Sequence, residues 1–249
     1  MKRLIIGDVH GLFNIVKDIY NKERPDKVII LGDYFDSFTI APIIQNIGFK
    51  ELMTLRQNHI ELNTNNKSSF IMLIGNHDAH YLVSWNERYS GYNYETEKFA
   101  SEYMNRAIGY ETMQMIYIDE VNHTIYSHAG ITNAWLKTRC NNVSLQNINN
   151  LAFEYFKFTY RDGGNMYGSS IYNSPLWVRP NGLLKDPYKD DNGIIWNQIY
   201  GHTHHHYAEK ILFDEAEFYN LDCLPYQYMI EEIDDKTNLI LKRIIKDIN

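Results

Sequence analysis

The sequence predicts an α/β fold whose first strands are parallel and buried. Three short and mostly apolar runs, at residues 3–6, 26–31 and 70–74, each end next to a glycine. Between these runs lie stretches whose apolar residues recur at helical spacing, so the order is strand, helix, strand, helix, strand. Runs that are apolar on both faces are typical of parallel strands covered on both sides. We therefore expect a parallel βαβαβ unit at the start of the chain.

The first half of the chain follows this order closely. Residues 12–20 have apolar side chains at helical spacing, and residues 43–60 do so over a longer stretch. We expect Gly48 to break the second helix, since glycine disfavours a helix interior. The polar segment 63–69 is a predicted loop before the third strand.

The second half predicts further strands and two excursions. Residues 79–109 are rich in Tyr, Glu and Ser and form a mixed helical excursion, and residues 140–191 form a second excursion of helix and loop. The other predicted helices span 131–137 and 151–158. The other predicted strands span 113–118, 124–126, 194–200, 217–221, 226–233 and 239–245, and residues 234–238 form a hairpin turn between the last two.

Composition limits the classes of protein to consider. The chain has 249 residues, with no linker-like segment and no internal repeat, which favours one domain spanning residues 1–249. The net charge of −7 disfavours nucleic acid as the main partner. Two cysteines, Cys140 and Cys223, are too few for a disulfide framework. No run is long and apolar enough for a membrane helix. We expect a cytoplasmic protein without a membrane partner.

Side chains that can bind metals follow the predicted strands. They are two carboxylates, one amide and five imidazoles: Asp8, His10, Asp33, Asn76, His77, His128, His202 and His204. Such strand ends are where open α/β folds place their sites. Mixed oxygen and nitrogen ligands favour Mn, Fe or Zn over Ca or Mg. Because two carboxylates cannot neutralise two divalent ions, a bridging hydroxide would supply further charge and act as nucleophile.

Five glycine-containing motifs occur in a fixed order. They are Gly7–Gly11 (GDVHG), Gly32–Asp36 (GDYFD), Gly75–Asp78 (GNHD), His128–Gly130 (HAG) and Gly201–His204 (GHTH). In this order they resemble the motifs of the calcineurin-like metallophosphoesterases. The resemblance covers residues 7–204. It implies a four-layer α/β/β/α sandwich of two mixed sheets with flanking helices, in which the tail strands complete the second sheet.

The resemblance also implies a role for each motif residue. It implies two divalent ions, which we expect to be Mn²⁺, with Fe, Zn, Ni and Mg as alternatives. Asp8 and His10 bind the first ion, Asp33 bridges both, and the second ion is bound by Asn76, His128 and His202. His77 protonates the leaving oxygen, and Asp36 orients His77. His204 completes the shell of the first ion where the last motif is GHxH.

The branch of the family is indicated by the remaining segments. Residues 127–130 and the segment Leu176–Pro180 (LWVRP) resemble the protein-phosphatase-like branch, which includes Ser/Thr phosphatases, phage phosphatases and dinucleoside tetraphosphatases. That branch has GDxxDRG, whereas Ser37 and Phe38 follow Asp36 here. The missing arginine grips phosphate. Arg179 is our candidate for a replacement clamp.

Other residues near the motifs receive lesser roles. Arg88 is a second candidate for the phosphate clamp. Asp78 is expected to brace its loop, and His80 to be structural, close enough in sequence to line the rim of the site. His205 and His206 are expected at the surface.

The resemblance implies a metal-dependent phosphoric ester hydrolase. We expect a phosphatase of phosphomonoesters, carried on protein, small molecule or nucleotide, in which a metal-bridging hydroxide attacks phosphorus and His77 is the general acid. The alternative is a phosphodiesterase or nucleotide pyrophosphatase that acts on cyclic nucleotides or dinucleoside polyphosphates. The missing arginine and His204 favour this alternative. A non-catalytic scaffold is disfavoured because the ligand and acid positions are intact.

Overall fold

The computed structural model describes residues 1–64, 66–82, 87–109, 112–158 and 168–248, without the side chains of Lys67 and residues 107–109. Its strands are β1 Lys2–Ile6, β2 Lys27–Ile30, β3 Phe70–Leu73, β4 Met113–Gln114, β5 Ile116–Asp119, β6 Thr124–Ser127, β7 Asn197–Tyr200, β8 Glu209–Phe213, β9 Ala216–Asn220, β10 Gln227–Ile233 and β11 Ile240–Asp247. Its helices are α1 Phe13–Glu23, α2 Pro42–Leu62, α3 Asn76–Ala79, α4 Tyr94–Gly109, α5 Asn133–Arg139 and α6 Pro180–Leu183.

The first sheet contains the predicted parallel unit. Its strand order is β11-β10-β1-β2-β3-β4. Strands β1 to β4 are parallel to one another, with Ile5 beside Ile29 and Ile29 beside Ile71. The predicted βαβαβ unit is therefore confirmed, and the carboxyl ends of β1, β2 and β3 lie at the same edge.

The second sheet is also mixed. Its order is β5-β6-β7-β9-β8, with β6, β7 and β9 parallel and the two edge strands antiparallel to their neighbours. The tail does not complete this sheet as expected. Of the three predicted tail strands only β9 joins it, while β10 pairs with β1 and forms the predicted hairpin with β11 in the first sheet. Residues 228–230 of β10 are all buried, so this strand requires cover on both faces.

Successive side chains of each strand point to opposite faces of the sheet, and this alternation produces the layers. In the first sheet Leu4, Val28 and Phe70 face α1 and α2. The next residues along these strands, Ile5, Ile29 and Ile71, face the second sheet. There they form a separate core cluster with side chains of the second sheet, which include Tyr126, Ile199 and Tyr219. On the outer face of the second sheet, Tyr200 and Phe218 pack against Leu183 of α6. The four-layer α/β/β/α arrangement of two mixed sheets is confirmed.

The longest helix is continuous, so the predicted break at Gly48 is wrong. Helix α2 runs through Gly48 from Pro42 to Leu62. A Cβ atom at Gly48 would lie 2.3 Å from the Phe13 ring, so glycine there allows α1 and α2 to pack closely. Within the described residues, no helix combines the length and the apolar character needed to cross a membrane.

Three other segments differ from the prediction. The predicted strand 113–118 is two short strands, because the chain passes from the first sheet in β4 to the second in β5. The predicted helix 151–158 contains only a 3₁₀ turn, Phe153–Phe156. Strand β8 was not predicted. Its residues alternate between half-buried and exposed at the edge of the sheet, and only this strand has that weak pattern among those of the second sheet.

Candidate metal centre

The carboxyl ends of strands from both sheets meet at one cavity of about 740 Å³. Most predicted site residues line it: Asp8, His10, Asp33, Asn76, His77, Arg179, His202 and His204. The two others, Asp36 and His128, are fully buried behind this wall and contact His77 and Asn76. The structure thus brings together every motif position that was predicted from separate parts of the chain.

The first group of ligand atoms comes from the loops after β1 and β2. Atoms of Asp8, His10 and Asp33 that can bind a cation lie within 4.8 Å of one another. His10 Nδ1 lies 2.8 Å from the Phe35 carbonyl oxygen, which can only accept a hydrogen bond. In neutral His10 the proton is therefore on Nδ1. The lone pair of Nε2, which lies 3.6 Å from Asp33 Oδ2, remains available.

The second group surrounds the Asn76 side chain. Asn76 Oδ1 lies 2.8 Å from His128 Nε2 and 2.9 Å from His202 Nδ1. His128 Nδ1 also lies 3.1 Å from the Leu31 carbonyl oxygen. Burial lowers the pKa of His128 and of His202, so both rings are neutral and each carries one N–H.

Neutral His128 cannot satisfy both of its oxygen neighbours. If Nδ1 donates to Leu31, the Nε2 lone pair points at another acceptor, Asn76 Oδ1. A cation between these atoms would turn that unfavourable contact into two coordinate bonds. The donor set around Asn76 therefore fits a metal ion on the chemistry of its atoms.

The backbone of the site is strained. His10, Asp33, Asp36 and His202 have φ angles of 41°, 50°, 64° and 67°, in the left-handed region. Residues other than glycine rarely adopt this region, and each residue held there destabilises the folded state by on the order of 1–3 kcal/mol. Four strained residues in one site indicate that the surrounding fold holds these side chains in place for a purpose other than stability.

Glycines in the motifs leave room for the carboxylates. A Cβ atom at Gly75 would lie 2.0 Å from Asp33 Oδ1, and one at Gly201 would lie 1.9 Å from Asp8 Oδ1. The Asp8 carboxylate accepts the backbone N–H of His202, at 3.0 Å from Oδ2. Loops from different strands are thus locked together through carboxylates that only glycine can admit.

The site concentrates negative charge. Burial raises the pKa of Asp8 well above its usual range, and the nearby Asp222 adds to the effect. Burial alone would raise the pKa of Asp33, but the surrounding histidines, with His128 foremost, outweigh burial and lower this pKa as they become protonated at low pH. Within the described part of the chain, no lysine or arginine forms an ion pair with Asp8, Asp33 or Asp222. Together with the contacts of Asn76, these carboxylates fit a pair of divalent ions.

Asp222 was missed by the sequence analysis. It lines the cavity and lies two residues after the end of β9, with Oδ1 3.6 Å from His204 Nδ1. The His204 side chain is 63% exposed, so it is held less firmly than the other histidines. A signal was available, because Asp222 immediately follows a predicted strand. It was overlooked because no glycine precedes it.

His77 forms a dyad with Asp36. His77 Nδ1 lies 3.0 Å from Asp36 Oδ2, and Tyr81 donates its hydroxyl to Asp36 Oδ1. Burial alone would lower the pKa of His77, but the carboxylates of Asp33 and Asp36 raise it to about 9. Asp78 accepts the backbone N–H groups of Tyr34 and Gly75, which agrees with the bracing role expected for it.

His80 does not lie at the rim of the site. Its side chain is fully buried, and Nε2 lies 2.7 Å from Asp36 Oδ2. Its Nδ1 accepts the backbone N–H of Tyr89 at 3.2 Å, so in the neutral ring the proton is on Nε2. His80 therefore supports the Asp36 carboxylate from behind, a contact that the sequence did not indicate.

The two candidate phosphate clamps differ in their surroundings. Arg179 lines the cavity, and its guanidinium forms no ion pair with any described residue. The Arg88 side chain is 62% exposed, lies 3.5 Å from Glu97 and stacks 4.3 Å from the Tyr92 ring. Arg179 is the freer cation.

Aromatic rings form one wall of the cavity. Trp177 packs edge-to-face against Tyr89, with ring centroids 4.5 Å apart, and against Phe158 at 5.3 Å. The same ring meets His202 at 5.9 Å. An apolar surface therefore begins directly beside the candidate metal ligands. We call Trp177, Tyr89 and Phe158 the aromatic wall.

Known structures share this fold. A cold-active protein-tyrosine phosphatase from a psychrophilic Shewanella species is 15% identical, with a TM-score of 0.59, and the match covers 100% of this chain and 80% of that one. A protein serine/threonine phosphatase from Saccharomyces cerevisiae is 16% identical, with a TM-score of 0.56, covering 99% of this chain and 79% of the other. No curated protein matches the sequence significantly.

The sequence model of the calcineurin-like phosphoesterases matches residues 1–228. That match covers both sheets up to the start of β10 and all five motifs. It confirms the resemblance that the motifs indicated, and the family is one of dinuclear metal enzymes. The chain belongs to the calcineurin-like phosphoesterase family and is a metal-dependent phosphoester hydrolase.

Proposed function

We propose that the enzyme is a phosphatase that hydrolyses phosphomonoesters. The observation that carries this proposal is the placement of three kinds of group at one cavity: the cluster of Asp8, His10 and Asp33, the His77–Asp36 dyad, and the Arg179 guanidinium, which has no ion pair among the described residues. These groups supply what hydrolysis of a phosphate ester needs, namely metal ligands, a proton donor and a clamp for phosphate oxygens.

The ligand assignment is part of the proposal. Asp8 and His10 would hold a first ion, Asp33 both ions, and the second ion would be held by Asn76, His128 and His202. The cofactor would be two Mn²⁺ ions, with Fe, Zn, Ni or Mg as alternatives. When bound, such ions supply positive charge to the transition state and activate water for attack on phosphorus. His204 is the weakest ligand candidate, because it is mostly exposed.

The chain's own residues would orient the substrate and move the proton. Arg179 can grip two phosphate oxygens with its planar fork. His77 Nδ1 is held by Asp36, which leaves Nε2 to protonate the departing oxygen. The Asp36 carboxylate against Nδ1 favours the protonated form of His77, as a general acid requires.

The alternative is a phosphodiesterase or nucleotide pyrophosphatase. One observation favours it: Asp36 is followed by Ser37 and the 85% exposed Phe38, where the protein-phosphatase-like branch has arginine. A monoester dianion gains more from cationic clamps than a diester monoanion does. Arg179 must therefore supply the discrimination if the phosphatase proposal is correct.

The first experiment compares the two substrate classes. The enzyme is stripped of metal, reloaded with Mn²⁺, and assayed on p-nitrophenyl phosphate and bis(p-nitrophenyl) phosphate. We expect a higher kcat/KM on the monoester, and a loss of on the order of a hundredfold on it in Arg179→Met, as for other transition-state donors. Arg88→Met is the matched control, with a much smaller loss. A preference for the diester would contradict the proposal.

The general acid is tested by changing the leaving group. His77→Gln should slow hydrolysis of an alkyl phosphate far more than that of p-nitrophenyl phosphate, because p-nitrophenolate leaves without a proton. Equal losses on the two substrates would assign His77 to binding rather than to proton transfer.

The remaining expectations also stay proposals. The substrate would be a phosphorylated protein, small molecule or nucleotide, without a membrane or nucleic-acid partner. Cys140 and Cys223 are free and buried, which supports a reducing compartment such as the cytoplasm. Residues 1–249 would act as one domain, since β1 near the start of the chain pairs with β10 near its end.

A further inference from the structure

A buried arginine outside the metal centre has no charged partner among the described residues. Arg56 on α2 is only 7% exposed. Its Nε atom has no hydrogen-bond partner, and among the described residues its guanidinium forms no ion pair. Arginine does not give up its proton in proteins, so this charge is present in the folded state. An unpaired buried charge is unfavourable and requires an explanation.

Arg56 lines a cavity of about 410 Å³ beside β4, the edge strand of the first sheet. This volume lies within the range of small-molecule pockets. No acidic residue and no other cation is among the described residues that line it. Among the described residues that line the cavity, Arg56 therefore supplies the one formal charge.

The other walls are partly polar and partly apolar. Hydroxyl and amide groups are offered by Ser68, Thr112 and Gln114, and none of these three side chains has a hydrogen bond within the described structure. Apolar surface is supplied by Phe70, Met113 and Leu151. One cation with nearby donors suits one anionic group, and the apolar walls suit a hydrocarbon body. A polyphosphate would need more cations than one.

We propose that this cavity binds a small amphiphilic organic anion, with its charged head on Arg56 and its apolar body against Phe70, Met113 and Leu151. The site is distinct from the metal centre, since the residues that line the two cavities do not overlap. The proposal does not depend on which phosphoester the enzyme hydrolyses.

The test uses hexanesulfonate, a permanent anion with a short apolar tail that cannot be hydrolysed as an ester. Binding to the metal-loaded enzyme is measured by isothermal titration calorimetry. We expect saturable binding of one equivalent, at least tenfold weaker in Arg56→Met. Arg106→Met is the matched control, because the Arg106 side chain is 68% exposed and pairs with Glu102. Its affinity should equal that of the wild type.

Two further probes separate head from tail. Sulfate has the anionic head alone and hexanol the apolar tail alone, and each should bind at least tenfold more weakly than hexanesulfonate. Absence of hexanesulfonate binding to the wild type, equal affinity in Arg56→Met, or equally tight binding of hexanol would each overturn the proposal.

Thermal melting shows whether the Arg56→Met variant loses binding because it is misfolded. Without probe, Arg56→Met should melt at or above the wild-type temperature, because it removes an unpaired buried charge. Saturating hexanesulfonate should raise the melting temperature of the wild type but not of Arg56→Met. A ligand-free variant that melts well below the wild type would show that the guanidinium has a partner within the protein, which would refute the proposal.

Discussion

The two ends of the sheet sandwich both bury charged side chains, but they neutralise them differently. At the amino ends of β1 and β6, Arg3 contacts Asp119 and Glu231, each at 2.8 Å. Arg243 contacts Glu231 at 2.9 Å and Glu217 at 2.7 Å. We call this the paired end. Every one of these cations has carboxylate partners, and the Tyr126 hydroxyl completes the network by donating to Glu231.

At the opposite end, the carboxylates of the metal centre have no lysine or arginine partner among the described residues. Asp8, Asp33 and Asp222 are buried, and their ion-pair partners in the described structure are histidines. The backbone around them is strained, whereas the described backbone of Arg3, Asp119, Glu231 and Arg243 has no left-handed residue. The described residues of the paired end balance one another's charges, while the metal centre needs cations from solution. The same fold thus separates a stabilising network from a functional one.

The largest effect is expected from Asp8→Asn at the metal centre. It should lower kcat/KM by on the order of a thousandfold, because a proposed metal ligand is lost. It should also raise the melting temperature of the metal-free protein at pH 7. Burial raises the pKa of Asp8, so this carboxyl group destabilises the metal-free fold at any pH above its unfolded pKa, including pH 7. Activity assays and thermal melts with and without Mn²⁺ measure both effects.

Asp18→Asn, at an exposed position on α1, is the control and should change neither quantity. A lower melting temperature for metal-free Asp8→Asn would mean that the buried charges are neutralised within the protein at both ends of the sandwich. The comparison would then fail.

At the paired end, Glu231→Gln should cost stability rather than activity. Removing one member of a buried ion network leaves Arg3 and Arg243 partly unpaired, at a cost of about 3–5 kcal/mol. Urea denaturation measures this loss, and kcat of the folded variant should stay within about twofold of the wild type. The neighbouring exposed Glu232 provides the matched control, Glu232→Gln. A large fall in kcat of the fully folded variant would contradict the expectation that the paired end stabilises the fold without taking part in catalysis.

The pH dependence of stability sharpens the comparison near the paired end. Glu23 accepts hydrogen bonds from Tyr228, Lys246 and Lys2, which outweigh burial and lower its pKa to about 2. A carboxyl group whose pKa is lowered by folding stabilises the protein above its unfolded pKa of about 4.3. That contribution, roughly 2–3 kcal/mol, is lost as the pH falls from about 5 towards 2.

Urea denaturation of wild type and Glu23→Gln at pH 7 and pH 3 checks this expectation. The difference between the two proteins should be largest at pH 7 and should shrink at pH 3. A difference that does not depend on pH would show that shape, rather than charge, explains the role of Glu23.

The smallest effect is expected at the aromatic wall. Trp177→Ala should raise KM for an aryl phosphate by about two- to tenfold, as for loss of an aromatic contact worth about 0.5–1.5 kcal/mol. KM for an alkyl phosphate of similar size should change less. Steady-state kinetics on the two substrates distinguish these outcomes, with Trp135→Phe, deep in the core, as a control for packing. Equal changes in KM would mean that the ring only shapes the cavity.

Much of the fold could be predicted because local sequence determines it. Residues 3–6, 26–31 and 70–74 are apolar on both faces and form the predicted parallel strands. Gly48 shows the limit of local rules, since its neighbour Phe13 comes from another helix. The placement of β10 beside β1 likewise depends on which strand edge is free in the folded sheet, and a local sequence pattern does not indicate which edge that is.

The same division applies to the site. The sequence by itself determined the family, the two-sheet fold and the strand ends that carry polar side chains. Short contiguous motifs follow the strands and indicate the family, and the family implies the fold. Only the tertiary structure decided that Asp222 joins His204 at the cavity, that His80 contacts Asp36, and that Arg56 is buried without a charged partner among the described residues. The physical reason is that charge pairing and burial depend on atoms brought together from distant parts of the chain.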